Sequence, residues 1–483
     1  KDPSERLRAG SNPASRVGRS WAKLAIADNP LRIHAADESR RPRRVLQIAF
    51  ACHPDRSMEC RNGWKRALHA AGEHEVTLLY GDKTPEAELQ EFVAAEGLEG
   101  QLTCRRVDAG PIGRRLLRSA TTYYAGLRLW HRAAYRMAKR LHAERRFELI
   151  HQTTYCGYRE PGYCWRLDAP FVWGPIGGTH NFPVRYLGQL TTPRAMWIEL
   201  CRMGITGFLL LSCVRVLVAA RLPRRVLAAT LAARRDLKSH LGVDANVRLE
   251  TAIEENQIAE PRRAKRDSSG PLKILWAGRL RPWKALPLLL RALAILPAHV
   301  DYKLRVLGEG PCEADWKGLA EQLGIASRIE WVGWPAYRDT LPQYAWADVF
   351  AFTSLRDTSG TGLLEALAAG APLLSVDHQG AADLVHAGCG LLVPVGDPAA
   401  TIAGFARGVQ ALAADERLLK TLSDAALAEA YRYTWEPQRA ALQDWYDAAL
   451  AEAPEPARPP ARFSAWRRRA TIATASPHIG SSV

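Results

Sequence analysis

The chain has 483 residues, 47% hydrophobic and 24% charged, and its 66 Lys and Arg outnumber 50 Asp and Glu to give a formal charge of +16 at pH 7. That length is too great for one ordinary core, so two domains plus tails are expected of what is otherwise a globular composition. Nine scattered cysteines with no C-x-x-C pair argue against a disulfide framework or a zinc site and fit reduced thiols in the cytosol, while the positive excess suits anionic partners: nucleic acid, anionic lipid or a diphosphate.

Residues 1–43 are rich in Arg, Ser and Pro, read as a disordered basic tail, and lack the apolar core of a secretory signal. "RRVLQIAFACHP", "HEVTLLYG", "FELIHQTT", "APFVWGPIGG" and "RVLAAT" follow as short apolar strands separated by helical stretches, with "RVLAAT" the last of its set. Strands alternating with helices mean a parallel sheet that binds its ligands beyond the strands' carboxyl ends, where His151 and the Gly177–Gly178 pair are expected to sit. Between Gln101 and Arg146, twelve basic residues and two acids are interleaved with Tyr, Trp and Leu. That mixture at helical spacing suits a helix lying on an anionic membrane surface. "GITGFLLLSCVRVLVAA", residues 204–220, is short for a membrane span and contains Arg215, so it reads as a buried or interfacial helix. Residues 259–270 are charged and contain Pro, Ser and Gly, the composition of a linker.

The second unit repeats the pattern through "KILWAG", "YKLRVLGEG", "IEWVGW", "DVFAFTS", "PLLSVD" and "GLLVP". Arg279 and Lys284 project from its first strand-to-helix connection, where fixed cations can neutralise a diphosphate. No D-x-D metal motif occurs in the sequence, so no metal is expected. In "SLRDTSGTGLLEALAAGAP", residues 354–372, a strand runs through a hydroxyl-rich loop into a helix predicted from Leu363 to Ala369 and ended by Gly370 and Pro372. Such a junction presents unpaired amides, a seat for phosphate. Carboxylates flanking it, Asp357 on the loop and Glu365 in the first helical turn, would repel the phosphate itself and suit hydroxyls on either side. A sugar nucleotide has that layout.

The ordered set "GRLRPWK", "VLGEGP", "IEWVGW", "YAWADVFAFTSLRD", "GLLEALAAGAPLLS" and "GLLVP" resembles the donor-binding half of retaining nucleotide-sugar glycosyltransferases of family 4. "FACHPDRSMECRNGW", the stretch from "ELIHQTT" to "VWGPIGG", and "YTWEPQRAALQDWYDAAL" are similar to a bacterial branch of that family. The resemblance spans about residues 44–453 and implies a GT-B fold: two Rossmann-like α/β domains with parallel sheets facing a central cleft. The expected bounds are 44–258 for the acceptor domain, 271–431 for the donor domain, 432–453 for a terminal helix returning to the first domain, and 454–483 for a disordered tail. The resemblance implies that Glu365 holds the nucleotide's ribose and that Asp357 faces the transferred sugar. Arg279 and Lys284 would bind the diphosphate together with amides around Ser359, Gly360, Thr361, Gly362 and Leu363. Gly63 and Gly177–Gly178 would line the cleft, and His151, with His180 as competitor, would hydrogen-bond the donor sugar. Transfer would be retaining, with the departing phosphate oxygen helping to deprotonate the acceptor hydroxyl.

Asp357 stands where most relatives carry Glu, Ala285 where glycine is common after the lysine, and Arg61 where the first-domain loop often has glycine. The expected activity is transfer of a sugar from a nucleoside diphosphate donor to a saccharide acceptor, lipid-linked, in bacterial polysaccharide or lipopolysaccharide assembly. It would take place in the cytoplasm, at the inner face of the inner membrane, without a cofactor. A sugar-nucleotide epimerase of the same fold would interconvert donors without acceptor. A non-catalytic basic scaffold would not need Asp357, Glu365 or Arg279. No nucleic-acid module is visible, so nucleic acid is not an expected partner.

Overall fold

The computed structural model describes residues 41–451, apart from 82, 120, 155–156, 191–192, 222–224, 260–269, 336 and 387. The expectations for the two tails and the body of the linker lie outside the described residues.

Two parallel sheets organise the chain. The first has seven strands: β1 (Arg44–Ala49), β2 (Glu75–Tyr80), β3 (Leu102–Arg106), β4 (Leu149–Thr154), β5 (Phe171–Ile176), β6 (Arg225–Ala228) and β7 (Asn246–Val247), in the order 3-2-1-4-5-6-7. The second has six: β8 (Leu272–Ala277), β9 (Tyr302–Leu307), β10 (Ile329–Gly333), β11 (Val349–Phe352), β12 (Leu373–Asp377) and β13 (Gly390–Pro394), in the order 10-9-8-11-12-13. The central strands are buried along nearly their whole length because helices cover both faces, which is why they read as apolar runs without alternation. Strand order reverses between β1 and β4 and again between β8 and β11. Loops leaving the strands' carboxyl ends there diverge in opposite directions and open a crevice.

The helices that bear on the site are α1 (Met58–Ala71), α2 (Gly110–Leu117), α3 (Tyr123–Arg145), α4 (Pro193–Ser212), α5 (Val214–Arg221), α6 (Leu286–Ala294), α7 (Thr361–Ala368) and α8 (Trp435–Ala451). Ser57 caps α1 by accepting the Cys60 amide at 3.2 Å. Helix α7 stops at Ala369 with Gly370 in the left-handed region at φ 67°, as its sequence prescribes. Helix α8 lies on the first sheet, burying Leu442, Trp445 and Tyr446 with Trp64 and Val76.

Three local expectations need correction. The basic stretch 101–146 is not one helix but β3, α2 and α3 in turn. β3 escaped notice because only Leu102 and Cys104 of its five residues are buried. "RVLAAT" is not the last strand, since the two-residue β7 follows it on the sheet edge. Residues 204–220 do not form a single helix: α4 and α5 meet there at a bend of 56°.

The domains touch along a seam. Phe182 and Tyr186 from the first pack with Ala285, Leu288 and Leu355 of the second. The Tyr186 hydroxyl meets the Thr401 hydroxyl at 2.6 Å, and the Leu231 amide donates to Asp383 at 2.7 Å. Glu199 of α4 and Arg356 form an ion pair in which Glu199 is only 3% exposed, and the Arg356 guanidinium also lies over Trp283 at 4.1 Å.

Candidate active site

The loop from Thr353 to Gly360 leaves β11 at the switch point of the second sheet and is held from both sides. On the β8 side, the Leu355 amide donates to Trp283 O at 2.9 Å and the Thr353 hydroxyl to Lys284 O at 2.7 Å. On the β12 side, the Asp357 amide donates to Gln379 Oε1 at 2.7 Å. Gly380 packs so closely that a Cβ there would stand 1.8 Å from Thr358 O. Opposite, the first domain's Gly177 turn lies against Thr358, where a Cβ would come within 2.5 Å of its side chain. Gly178, at φ 74°, completes that turn.

Lys284 Nζ forms an ion pair with Asp357 Oδ2. The β8–α6 and β11–α7 connections thus bring together two residues 73 apart in sequence. Lys284 also lies 5.7 Å from the Phe352 ring centroid, and Arg279, on the same connection, lies over Trp334 at 5.6 Å. Gly360, at φ 66°, begins α7 without a side-chain cap. The first turn therefore offers amides to a ligand. Leu363 is an exception to the expected set, because its amide already donates to Gly360 O at 2.8 Å and closes that turn.

Helix α7 starts at Thr361, two residues earlier than predicted, so Glu365 is its fifth residue and lies beyond the first turn. Glu365 is 8% exposed, and burial pushes its carboxyl up to about 7 against the opposing pull of a Tyr344 hydrogen bond and the Arg61 charge. Arg61 belongs to the first domain, so a charge from across the seam reaches this buried carboxyl.

Two expected residues lie elsewhere. His151 is not at a strand end: it is the third of six residues in β4, paired with Gln47 of β1 and fully buried. Its Nδ1 meets the Tyr446 hydroxyl at 2.9 Å, its Nε2 meets Gly174 O at 3.1 Å, and burial holds the ring down to about 3. With both nitrogens engaged beneath α8, it cannot reach a ligand in the crevice. Gly63 is a packing glycine inside α1, where a Cβ would stand 2.2 Å from Ala51 O, and it lines no open space. His180 is the histidine nearer the seam. Its Nδ1 lies 2.9 Å from Asp236 Oδ2, and burial, with His180 close by, holds His378 of the second domain down to about 4.

Sequence reasoning missed Glu250 and Glu59. Ser359 donates to Glu250 Oε1 at 2.7 Å, which ties the stretch after β7 to the loop before α7. Burial, with repulsion from Asp357 behind it, raises the Glu250 carboxyl. Glu59 on α1 is solvent-accessible, yet crowding by the surrounding protein, together with Glu250, raises it to about 7. Glu250 thus touches the 353–360 loop directly, and Glu59 lies near enough to feel its charge. No motif or spacing marks Glu250.

Residues 257–428 match the family model described as glycosyl transferases group 1. The lipopolysaccharide core biosynthesis glycosyltransferase LpsE of Rhizobium meliloti is 33% identical over 164 residues, 34% of this chain and 46% of that protein. A D-inositol 3-phosphate glycosyltransferase of Streptomyces bingchenggensis is 32% identical over 248 residues, 47% of this chain and 53% of that one. The chain thus spans about half the length of these curated relatives. Among solved structures, the lipopolysaccharide outer core galactosyltransferase WaaB superposes with a TM-score of 0.58 at 15% identity, covering 85% of this chain and 100% of that one. Anabaena Alr3699/HepE in complex with UDP and glucose gives 0.51 at 18%, covering 85% and 99%. Residues 257–428 therefore match a glycosyl transferases group 1 domain, within a chain whose two parallel-sheet domains have the GT-B fold.

Proposed function

We propose that this chain is a retaining glycosyltransferase that needs no metal. It moves a sugar from a nucleoside diphosphate sugar to a lipid-linked saccharide in bacterial polysaccharide or lipopolysaccharide assembly, at the cytoplasmic face of the inner membrane. The observation that carries the reading is the Lys284–Asp357 pair on a clamped loop at the second sheet's switch point, with the buried Glu365 on the helix that follows it. The names of LpsE and WaaB support the process, and the UDP and glucose bound by HepE support the donor class.

In this reading Glu365 accepts the two ribose hydroxyls, and Lys284, Arg279 and the amides of Ser359 to Gly362 take the diphosphate. Asp357, already paired with Lys284, is poised beside the leaving group to hold the sugar's hydroxyls. Charge that develops on the departing phosphate is met by cations fixed before the reaction, so little reorganisation is needed. The phosphate oxygen takes the acceptor's proton on the same face, which leaves the Glu59–Glu250 side to accept hydrogen bonds from acceptor hydroxyls. The Gly177–Gly178 turn roofs the site, and His180 takes the place first expected of His151. The basic excess of α2 and α3, eight Lys and Arg from residue 109 to 143 with Asp108 paired to Arg114 at its edge, supports contact with an anionic membrane.

Thermal unfolding against a panel of nucleoside diphosphate sugars tests the donor class. One donor at 100 times its Kd is expected to stabilise the chain by about 2.7 kcal/mol. A panel without a single shift would remove the reading. Gly380→Ala is a second test: its Cβ would meet Thr358 O at 1.8 Å and Ser359 Cα at 3.0 Å, both backbone atoms that cannot rotate aside. The loop must move, and turnover is expected to fall on the order of 100-fold with the fold retained. Turnover within a factor of about two of wild type would show that the loop's placement is not what catalysis uses.

A further inference from the structure

Helix α4 is built inside out. Its only acid, Glu199, and its buried Thr206 point inward, whereas Met196, Trp197, Ile198, Leu200, Ile205 and Phe208 are exposed. At 100° per residue the exposed positions form one continuous arc, and Arg194 at its first turn is the only charge on it. Thirteen large apolar side chains are exposed among the described residues, and six of them stand on this helix. Trp197 is 68% exposed and Phe208 63%. An apolar patch of this kind on a folded surface marks a contact with something apolar.

The polar side chains explain why the helix lies this way round. Glu199 pairs with Arg356, the Arg202 guanidinium donates to His180 O at 2.9 Å, and Arg159 donates to the Thr206 hydroxyl at 3.0 Å. Turning the apolar face inward would break each of these. The same bonds keep the helix flat on the protein. No single described helix is long and apolar enough to cross a membrane, and α4 with α5 meets the composition test only as a pair bent by 56°.

Charge selects the occupant. Arg159 lies 5.5 Å from the ring centroid of Tyr124 in the first turn of α3, so the C-terminal half of α4 adjoins the α2–α3 surface. Residues 109–143 supply eight Lys and Arg and no acid to that surface, Asp108 at its edge pairs with Arg114, and Ile112 is exposed at 71%. Exposed Trp, Phe, Ile and Leu bordered by cations, with the sole acid turned away, complement an anionic bilayer, where aromatic and aliphatic side chains enter the interface and cations meet headgroups.

We propose that the outward face of α4 seats in the interfacial layer of an anionic bilayer, with α2 and α3 against the headgroups. This rests on the membrane-facing part of the function proposed above and adds the element that makes the contact. Arg356 precedes Asp357 and pairs with the inward face of α4, so the donor loop stands about one helix diameter, ~10 Å, above the lipid. An acceptor saccharide would be met close to its anchor.

The test is cosedimentation of the full chain with vesicles of phosphatidylcholine alone or enriched in phosphatidylglycerol, without donor or acceptor. Wild type is expected to pellet with the anionic vesicles. Trp197→Ser combined with Phe208→Ser should lower the bound fraction at least about tenfold, and Arg114→Glu with Arg115→Glu should weaken only the anionic component. Both variants should keep the wild-type melting temperature, because the four side chains are exposed. Unchanged partitioning of the Trp197/Phe208 variant would overturn the assignment. So would a wild-type dimer that the same variant disperses, since the face would then be a contact between copies. Loss of every nucleotide-sugar thermal shift alongside intact vesicle binding would sink the transferase reading and leave the docking face standing.

Discussion

Replacing Glu365 by glutamine is expected to stabilise the protein at pH 8 and to weaken nucleotide-sugar binding at the same time. Burial raises this carboxyl from 4.5 to about 7. Between those values the native state holds a proton that the unfolded chain has released, so this group's contribution to stability declines as pH rises through the interval and is fully lost above about 7. At about 1.36 kcal/mol per pK unit, the cost at pH 8 is on the order of 3 kcal/mol. Glutamine carries no charge to desolvate. Its advantage should therefore appear at pH 8 and vanish near pH 4, in urea unfolding of the two proteins side by side. Binding moves the other way, since two ribose hydroxyls need an acceptor-only partner and glutamine offers one acceptor and a donor. Loss of hydrogen bonds to a charged group should cost about 1.5–3 kcal/mol, roughly 10- to 100-fold in Kd. Wild-type affinity for a nucleotide sugar should also rise with pH through about 7, and that dependence should be absent from the variant. A glutamine variant that is equally destabilised at both pH values, or that binds donor like wild type, would exclude Glu365 as the ribose ligand.

The parts of this site that could be read in the sequence are those made by neighbours along the chain. Lys284, Asp357, Glu365 and Gly370 sit on strand–loop–helix junctions whose caps and breakers are local, and parallel sheets write their central strands as apolar runs. Where partners come from far away the sequence is silent. His151 reads as a strand-end histidine until the register of β1 with β4 and the Tyr446 hydroxyl place it under α8. Gly63 looks like a loop glycine until its close approach to Ala51 is seen. Glu250 with Ser359 and Glu199 with Arg356 are pairs separated by 109 and 157 residues, and no periodicity links them. The apolar stretch that begins in α4 reads from sequence as either buried or interfacial, and which of its faces turns outward is set by the distant partners of Glu199 and Arg202.

The second large effect concerns the cations. Arg279→Ala together with Lys284→Ala is expected to lower kcat by about 10⁴-fold or more, taking about 10²–10³ for each fixed group that stabilises transition-state charge. The same change should cost little stability. Arg279 is exposed, and the Lys284–Asp357 pair has side chains 20% and 27% exposed, so its loss should remove no more than about 1 kcal/mol. The disparity between these magnitudes separates a chemical role from a structural one. Combining Lys284→Met with Asp357→Asn sharpens the distinction, because it removes the acid left beside Glu250 without a counter-charge. That pair should recover whatever stability Lys284→Met loses, and turnover should stay low. The split between constants is also informative. Cations that act on the departing diphosphate stabilise the transition state more than bound donor, so kcat must fall along with kcat/KM. A variant whose KM rises while kcat stays within a factor of about ten would confine these residues to holding the donor, and the leaving-group role would have to be given up.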